Sequence, residues 1–236
     1  MDQSTGIIER EFPNAVIYNL SQPDQVTVRL PPKSTWSSGL HWHETHTEFL
    51  KVIKGSIKVR LGDTEQIITA THDNQPELRV ERYAWHEWQR AEPDGDEVIV
   101  IERTDPADGE KAIFFWNLNG VILNAGRVLS TNVPGFSFFP ASIKDLLIDF
   151  WISLNLFIIF HSLDNIPVIL STSKYWGGKK SRAKTGLSAD WFVSHLLLLL
   201  ASWIGRLFRL QAVRAEYTPP PNYERWQDDH RFDKLK

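Results

Sequence analysis

Cysteine is absent from the 236-residue chain. Its absence excludes disulfide scaffolds, Cys-ligated zinc, iron–sulfur clusters and thiol catalysis. The chain also lacks a large excess of one charge, because 26 Lys and Arg stand against 29 Asp and Glu. The charge therefore predicts no polyanionic partner such as nucleic acid. The opening residues, MDQSTGIIEREF, have no basic stretch followed by an apolar one, so we expect a cytoplasmic protein without a secretory signal.

Short apolar or alternating segments follow one another from residue 15 to about residue 118. They are separated by turns rich in Pro, Gly, Asp and Asn, and no helical period interrupts them. This pattern predicts a mainly β fold, a sandwich or a small barrel, which we place at residues 1–125. The segments read as strands are AVIY, QVTVRL, EFLKVI, SIKVRL, QIITA, ELRV, EVIVIE and AIFFW.

A hairpin is predicted where residues 48–54 and 56–61 flank Gly55, whose backbone freedom suits a tight turn. In the first of these strands Glu48 shares a face with the apolar Leu50. A carboxylate on an apolar, inward-looking face has to be protonated, paired with a cation or bound to a metal.

Three histidines accompany this carboxylate. His41 and His43 stand two apart, so on a strand both imidazoles point to one face, and Glu48 begins the next strand. His86 follows in RYAWHEW, on a strand that can cross the same interior. Three imidazoles and one carboxylate suit Fe(II), which we favour, or Mn(II), Ni(II), Co(II) or Zn(II), and leave two positions open in an octahedral shell. The metal ligands predicted here are His41, His43, Glu48 and His86.

The spacing H-x-H, four residues, E, six residues, G resembles the first motif of the cupin superfamily and is carried by His41, His43, Glu48 and Gly55. Of the second cupin motif only the histidine is matched, by His86. The resemblance covers roughly residues 15–118 and implies a single jelly-roll β-barrel with the metal inside. The whole chain also resembles small fungal cupin proteins associated with the tailoring of specialised metabolites.

Several other residues are candidates for a role near this site. Tyr83 could act as an acid or base, because it lies near His86 in sequence. His46, in the connection ETHT, and His72 are expected to be exposed loop residues. Five tryptophans accompany the strands and form either an aromatic wall for a lipophilic substrate or ordinary core packing: Trp36, Trp42, Trp85, Trp88 and Trp116.

Two apolar helices are predicted at residues 143–163 and 189–210, forming an extension at 126–217 before a polar, Pro-rich tail at 218–236. Each is long enough to cross a bilayer, but each has a polar stripe, which in the first includes Asp164. Such helices pack on the barrel, pair with a second copy in a homodimer, lie in a membrane surface or insert as a hairpin. The basic linker KYWGGKKSRAK between them suits an anionic membrane surface.

Three functions fit these features. The first is a metal-dependent enzyme that oxidises or oxygenates a hydrophobic small molecule, such as a polyketide- or terpenoid-like metabolite. The second uses the metal as a Lewis acid for isomerisation, dehydration or cyclisation. The third is a metal-supported binding module without catalysis.

Overall fold

The computed structural model describes residues 3–170 and 189–233. The strands are β1 (Ile7–Arg10), β2 (Val16–Asn19), β3 (Gln25–Leu30), β4 (His41–Trp42), β5 (Thr47–Lys54), β6 (Ser56–Leu61), β7 (Thr64–Thr69), β8 (Glu77–Val80), β9 (His86–Arg90), β10 (Val98–Asp105) and β11 (Ile166–Pro167). The helices are α1 (Glu110–Asn132), α2 (Ala141–Ser162), α3 (Ala189–Leu207) and α4 (Pro220–Asp233), with a short 3-10 turn at Phe136–Phe138.

The strands form two antiparallel sheets. One has the order β1-β2-β3-β10-β5-β8 and the other has the order β11-β4-β9-β6-β7. Inward-facing residues alternate along the strands, so that Val98 and Val100 of β10 and Ile57 and Val59 of β6 are buried. These side chains belong to one apolar core shared by both sheets. The mainly β fold with a C-terminal helical region is therefore confirmed.

The predicted hairpin around Gly55 is wrong. Strand β5 pairs with β10 and β8, whereas β6 pairs with β7 and β9, so the chain passes from one sheet to the other at Gly55. Gly55 has a φ of 77°, and a Cβ at this position would meet the Glu97 carbonyl oxygen at 2.8 Å. The two strands still turn their apolar faces to the same core, which explains why the alternation alone suggested a hairpin.

The segment AIFFW, expected as a strand, lies in helix α1. Its side chains are buried because this part of the helix packs against the core that the sheets share. A short apolar segment fits a buried helix and a buried strand equally well, which accounts for the error. Residues of α2 and of the chain after α3, including Ile159 and Tyr217, join the same core.

The two apolar helices of the extension form at α2 and α3 and pack against each other. Within residues 3–170 and 189–233, no helix combines the length and the apolar character needed to cross a membrane. The basic linker at 174–184 lies outside the described residues. Much of the tail, expected to be an extended or docked arm, forms helix α4.

Candidate metal centre

The structure brings the four predicted ligands together between the two sheets. His41 lies on β4 directly opposite His86 on β9, His43 follows β4, and Glu48 comes from β5 of the other sheet. All four are buried, and one ligand atom from each lies within 4.8 Å of the other three.

Backbone carbonyl groups fix how each imidazole is protonated. Nδ1 of His41 contacts the carbonyl oxygen of Gly39 at 2.7 Å, and Nδ1 of His86 contacts that of Ala84 at 2.9 Å. Nδ1 of His43 contacts the carbonyl oxygen of Asp164. Because a carbonyl oxygen only accepts, each Nδ1 is the donor and carries the ring proton. Each Nε2 of a neutral ring is then left with a free lone pair, the form that ligates metals.

The surroundings of these Nε2 atoms fit a cation. Nε2 of His43 and Nε2 of His86 are buried without a hydrogen-bond donor or acceptor among the described residues. Nε2 of His86 lies 2.8 Å from Oε2 of Glu48, and neither atom has a proton to give. Burial lowers the pKa of His41 well below its usual value, so this ring is neutral. Convergent lone pairs and a carboxylate make a site that a divalent metal ion satisfies.

A buried lysine is the second partner of Glu48. The ammonium group of Lys111, in the first turn of α1, contacts Oε1 of Glu48 and lies 3.1 Å from Oε2 of Glu102. Burial alone would raise the pKa of Glu48, but the Lys111 ammonium group holds it well below its usual range. Glu102 also accepts a hydrogen bond of 2.8 Å from the indole of Trp88. Lys111 therefore joins two buried carboxylates next to the metal ligands.

Asp164, two residues after the end of helix α2, supports the site from the helical extension. Asp164 has a left-handed φ of 48°, and its carbonyl group orients His43. Its carboxylate accepts from the backbone N–H groups of Glu44, Thr45 and His46 at 2.7, 2.9 and 3.0 Å. Asp164 therefore anchors the loop that joins His43 to Glu48, and it does not lie on the helical stripe predicted for it.

His46 is buried, which corrects the expectation of an exposed loop residue. Its Nδ1 lies 2.8 Å from Asp164 and its Nε2 lies 2.8 Å from Asp108. Burial alone would lower the pKa of His46, but the two carboxylates raise it to about 9, so the ring is a cation at neutral pH. His72 is exposed, as expected.

A cavity between the sheets and the helices reaches His41. Trp36 lines it, which fits the aromatic-wall interpretation, whereas Trp42 and Trp116 are buried in the core. The other side chains that line it include Arg10, Tyr18, Glu102, Lys111, Phe114, Phe115, Leu118, Ile122 and Phe160. A mainly apolar, aromatic lining with a few polar groups is typical of small-molecule sites.

Tyr83 is placed differently from the four ligands. Its side chain is 48% exposed, and its backbone N–H donates to the carbonyl oxygen of His43 at 2.6 Å. Its ring does not line the cavity that reaches His41. An acid or base role for Tyr83 stays a prediction.

The residues that the sequence did not indicate are Lys111, Glu102 and Asp164. Lys111 stood at the edge of an apolar segment and Glu102 on the buried face of EVIVIE, so each was a charge in an apolar pattern. That signal, the same one that identified Glu48, was available for both. Asp164 acts through both its carbonyl group and its carboxylate on a loop about 120 residues away in sequence, and no local pattern reports such a contact.

No protein-family model matches the chain, and no curated protein matches it. Several solved structures resemble this chain over less than half of its length. KdgF from Halomonas sp. is 18% identical over 44% of this chain and 90% of its own, with a TM-score of 0.33. A predicted oxalate decarboxylase from Thermotoga maritima is 14% identical over 44% and 95%, with a TM-score of 0.34. The capsular polysaccharide assembling protein CapF from Staphylococcus aureus is 16% identical over 44% of this chain, which spans only 29% of CapF, with a TM-score of 0.34. Likenesses at this level carry no argument about function.

Proposed function

We propose that this chain is a cupin-type protein that binds one divalent metal ion through His41, His43, Glu48 and His86 and acts on a hydrophobic small molecule. The observation that carries the proposal is the set of three Nδ1–H groups held by backbone carbonyl oxygens, which turns three Nε2 lone pairs toward one carboxylate. Carbonyl groups that orient ligating histidines in this way are common around protein metal sites.

The chain's own groups prepare the site in two ways. Lys111 neutralises Glu48 on the side away from His86, so the carboxylate keeps Oε2 for the cluster. The cavity next to His41 offers aromatic and aliphatic surface to a ligand. A substrate oxygen at the His41 end of this cavity would lie next to the metal ligands.

We favour iron and an oxidation or oxygenation, since the mixed imidazole and carboxylate set suits Fe(II). Bound iron would supply activation of dioxygen, whereas bound zinc would supply only a Lewis acid for isomerisation, dehydration or cyclisation. A metal-supported binding module is the alternative without catalysis.

The experiment is purification without oxygen, followed by elemental analysis and measurement of oxygen uptake with candidate substrates. We expect about one equivalent of metal per chain and its loss in His41→Ala. Iron with oxygen uptake supports oxidation, and zinc or nickel with turnover but no uptake supports the Lewis-acid function. Metal near zero in the wild-type protein, unchanged by His41→Ala, would refute all three.

We also propose that helix α3 lies on an anionic membrane surface. Large apolar side chains at helical spacing are exposed along it: Phe192, Leu196, Leu199, Leu200, Trp203 and Leu207. This face carries no acidic residue within Ala189–Leu207, and Arg206 and Arg209 lie at its C-terminal end. An apolar face bordered by cations suits the boundary between acyl chains and anionic headgroups. The sequence before α3 contains five further cations in the linker KYWGGKKSRAK.

A further inference from the structure

The cavity that reaches His41 has an unusual balance of charge. Arg10 lies at the end of β1 and lines it, as do Lys111 and Glu102. Lys111 is shared by two carboxylates, Glu48 and Glu102. Arg10, in contrast, has no carboxylate within ion-pair distance among residues 3–170 and 189–233. One guanidinium group therefore faces an aromatic cavity without a counter-ion.

The neighbour of Arg10 is a neutral hydroxyl group. Tyr18 is buried, and its oxygen accepts a hydrogen bond of 2.8 Å from the indole of Trp36. Arg10 also lies against this hydroxyl group, while burial raises the pKa of Tyr18 well above its usual value. The phenol thus keeps its own proton, which it can donate to a ligand. Arg10 and Tyr18 together offer hydrogen-bond donors to an acceptor in the cavity.

The charge count leads to the same class of ligand. Arg10 and Lys111 balance Glu48 and Glu102, and the histidine ligands are neutral when they bind a metal. A divalent ion at the proposed site would therefore leave the cavity and the adjoining metal ligands with two uncompensated positive charges. Buried charge of one sign is costly without a partner, so an anionic ligand is favoured.

The walls fix the shape of the rest of the ligand. Phe114, Phe115 and Trp36 line the space, and Phe160 stacks on Phe114 with centroids 5.9 Å apart. Flat aromatic groups pack well against such surfaces.

We propose that this cavity binds a planar aromatic acid, with its carboxylate on Arg10 and Tyr18 and its ring between Trp36 and the phenylalanines of α1. This substrate class rests on the proposed metal function in the charge count and at the His41 end of the cavity, whereas the contacts with Arg10 and Tyr18 do not need the metal. Arg10 is then a specificity-determining residue, because a guanidinium group pairs with a carboxylate through two parallel hydrogen bonds.

Calorimetric titration with 1-naphthoate and with the neutral 1-naphthylmethanol tests the proposal, using zinc-loaded and metal-free protein. We expect naphthoate to bind about 10- to 100-fold more tightly than the alcohol, the range given by charged hydrogen bonds. Arg10→Gln should remove this preference, and Arg10→Lys should keep most of it, which separates loss of the contact from loss of the fold. Arg29→Gln is the matched control, because Arg29 lies on the surface and pairs with Glu97 at 2.6 Å. Naphthoate should also shift the NMR signal of the Trp36 indole.

Equal affinities for the two probes in the wild-type protein, or an unchanged preference in Arg10→Gln, would overturn the proposal. An unmoved Trp36 signal at saturating naphthoate would place the ligand elsewhere and overturn it as well. The metal proposal can fail independently of this one. A protein that takes up no zinc but prefers naphthoate through Arg10 would refute the metal site and support the aromatic-acid site. Zinc binding without that preference would retain the metal site and refute the aromatic-acid site.

Discussion

Lys111 is a single residue on which the site depends although it is not a proposed metal ligand. It is buried in the first turn of α1 and contacts Glu48 and Glu102. A buried ion pair is only weak evidence for added stability, but removal of one partner leaves an uncompensated charge. Lys111 therefore matters most when no metal ion is available to Glu48.

Lys111→Met should destabilise the metal-free protein by about 3–5 kcal/mol, because two buried carboxylates lose their cation. Zinc should recover part of this loss, since it would take over Glu48. The check is the free energy of unfolding in urea, measured with and without zinc.

Lys58→Met is the control for this substitution. Lys58 pairs with Glu65 at 3.5 Å on the surface, so its removal should change stability by less than about 1 kcal/mol. We expect zinc to stabilise Lys111→Met more than the wild-type protein, because zinc would replace Lys111 as the cation next to Glu48. Equal or smaller stabilisation of the variant would contradict this role of Lys111.

His46 is the second residue whose charge has a measurable consequence. The carboxylates of Asp108 and Asp164 raise its pKa to about 9, above the value of 6.5 for the unfolded chain. A raised pKa gives a stabilisation that is complete below pH 6.5 and disappears as the pH rises through 9. At 1.36 kcal/mol for each pKa unit, the stabilisation is roughly 3 kcal/mol.

We expect the stability difference between the wild-type protein and His46→Gln to be constant from about pH 5 to 6.5 and to shrink toward pH 9.5. Urea unfolding across this range measures it. His72→Gln, a change at an exposed histidine, should give a flat profile. A His46→Gln profile as flat as that control would show that the ring is not a cation in the folded protein.

At the scale of elements, the junction between α2 and β11 links the helical extension to the metal site. Asp164 lies there, and β11 pairs with β4 so that Pro167 stands opposite His41. Ser194 of α3 also donates to the carbonyl oxygen of Pro167 at 2.7 Å. The extension thus borders the strand that carries a proposed ligand.

Asp164→Asn tests this link. Asparagine tolerates the left-handed backbone, but it lacks the negative charge that binds the backbone N–H groups of residues 44–46 and the imidazole ring of His46. We expect zinc affinity to fall about 10- to 100-fold, the usual effect of disturbing groups that orient ligands. Asp149→Asn, on an exposed position of α2, is the control and should leave zinc affinity unchanged. Equal affinities in both variants would remove Asp164 from the support of the site.

Helix α3 carries the prediction about membranes. Flotation of the protein with vesicles containing anionic phosphatidylserine should be lost when Phe192, Leu199 and Trp203 are all changed to serine. Trp203 is 62% exposed, so the change should not disturb packing. The single change Ile67→Ser, at an exposed apolar position on β7, serves as the control and should float normally. Self-association without flotation would identify a second copy as the occupant of this face.

Across the whole molecule, the sequence predicted what depends on local periodicity and on residue chemistry. The alternation predicted most strands, and the grouping of three imidazoles with one inward carboxylate located the four residues that converge between the sheets. Strand pairing at Gly55 was not predicted, because apolar alternation does not say which strand lies beside which. The helical structure of AIFFW was also not predicted, because its burial depends on the tertiary packing of α1.

The support of the site was the least predictable part. Asp164 is 121 residues from His43 in sequence, and it acts through a carbonyl group that every residue type possesses. His46 was misjudged because its two carboxylates come from distant segments. Long-range electrostatic partners of this kind leave no local pattern in a single sequence.

The Nε2 lone pairs of His41, His43 and His86 are proposed to converge on one divalent ion, and the whole metal function depends on this convergence. Long-range ¹H–¹⁵N NMR of the imidazole rings during titration of the metal-free protein with Zn²⁺ tests it most directly. We predict Nδ1–H tautomers for all three rings before zinc, and a shift of each Nε2 signal that saturates at one zinc per chain. Protonated Nε2 atoms in the metal-free protein, or Nε2 signals that do not respond to zinc, would contradict it.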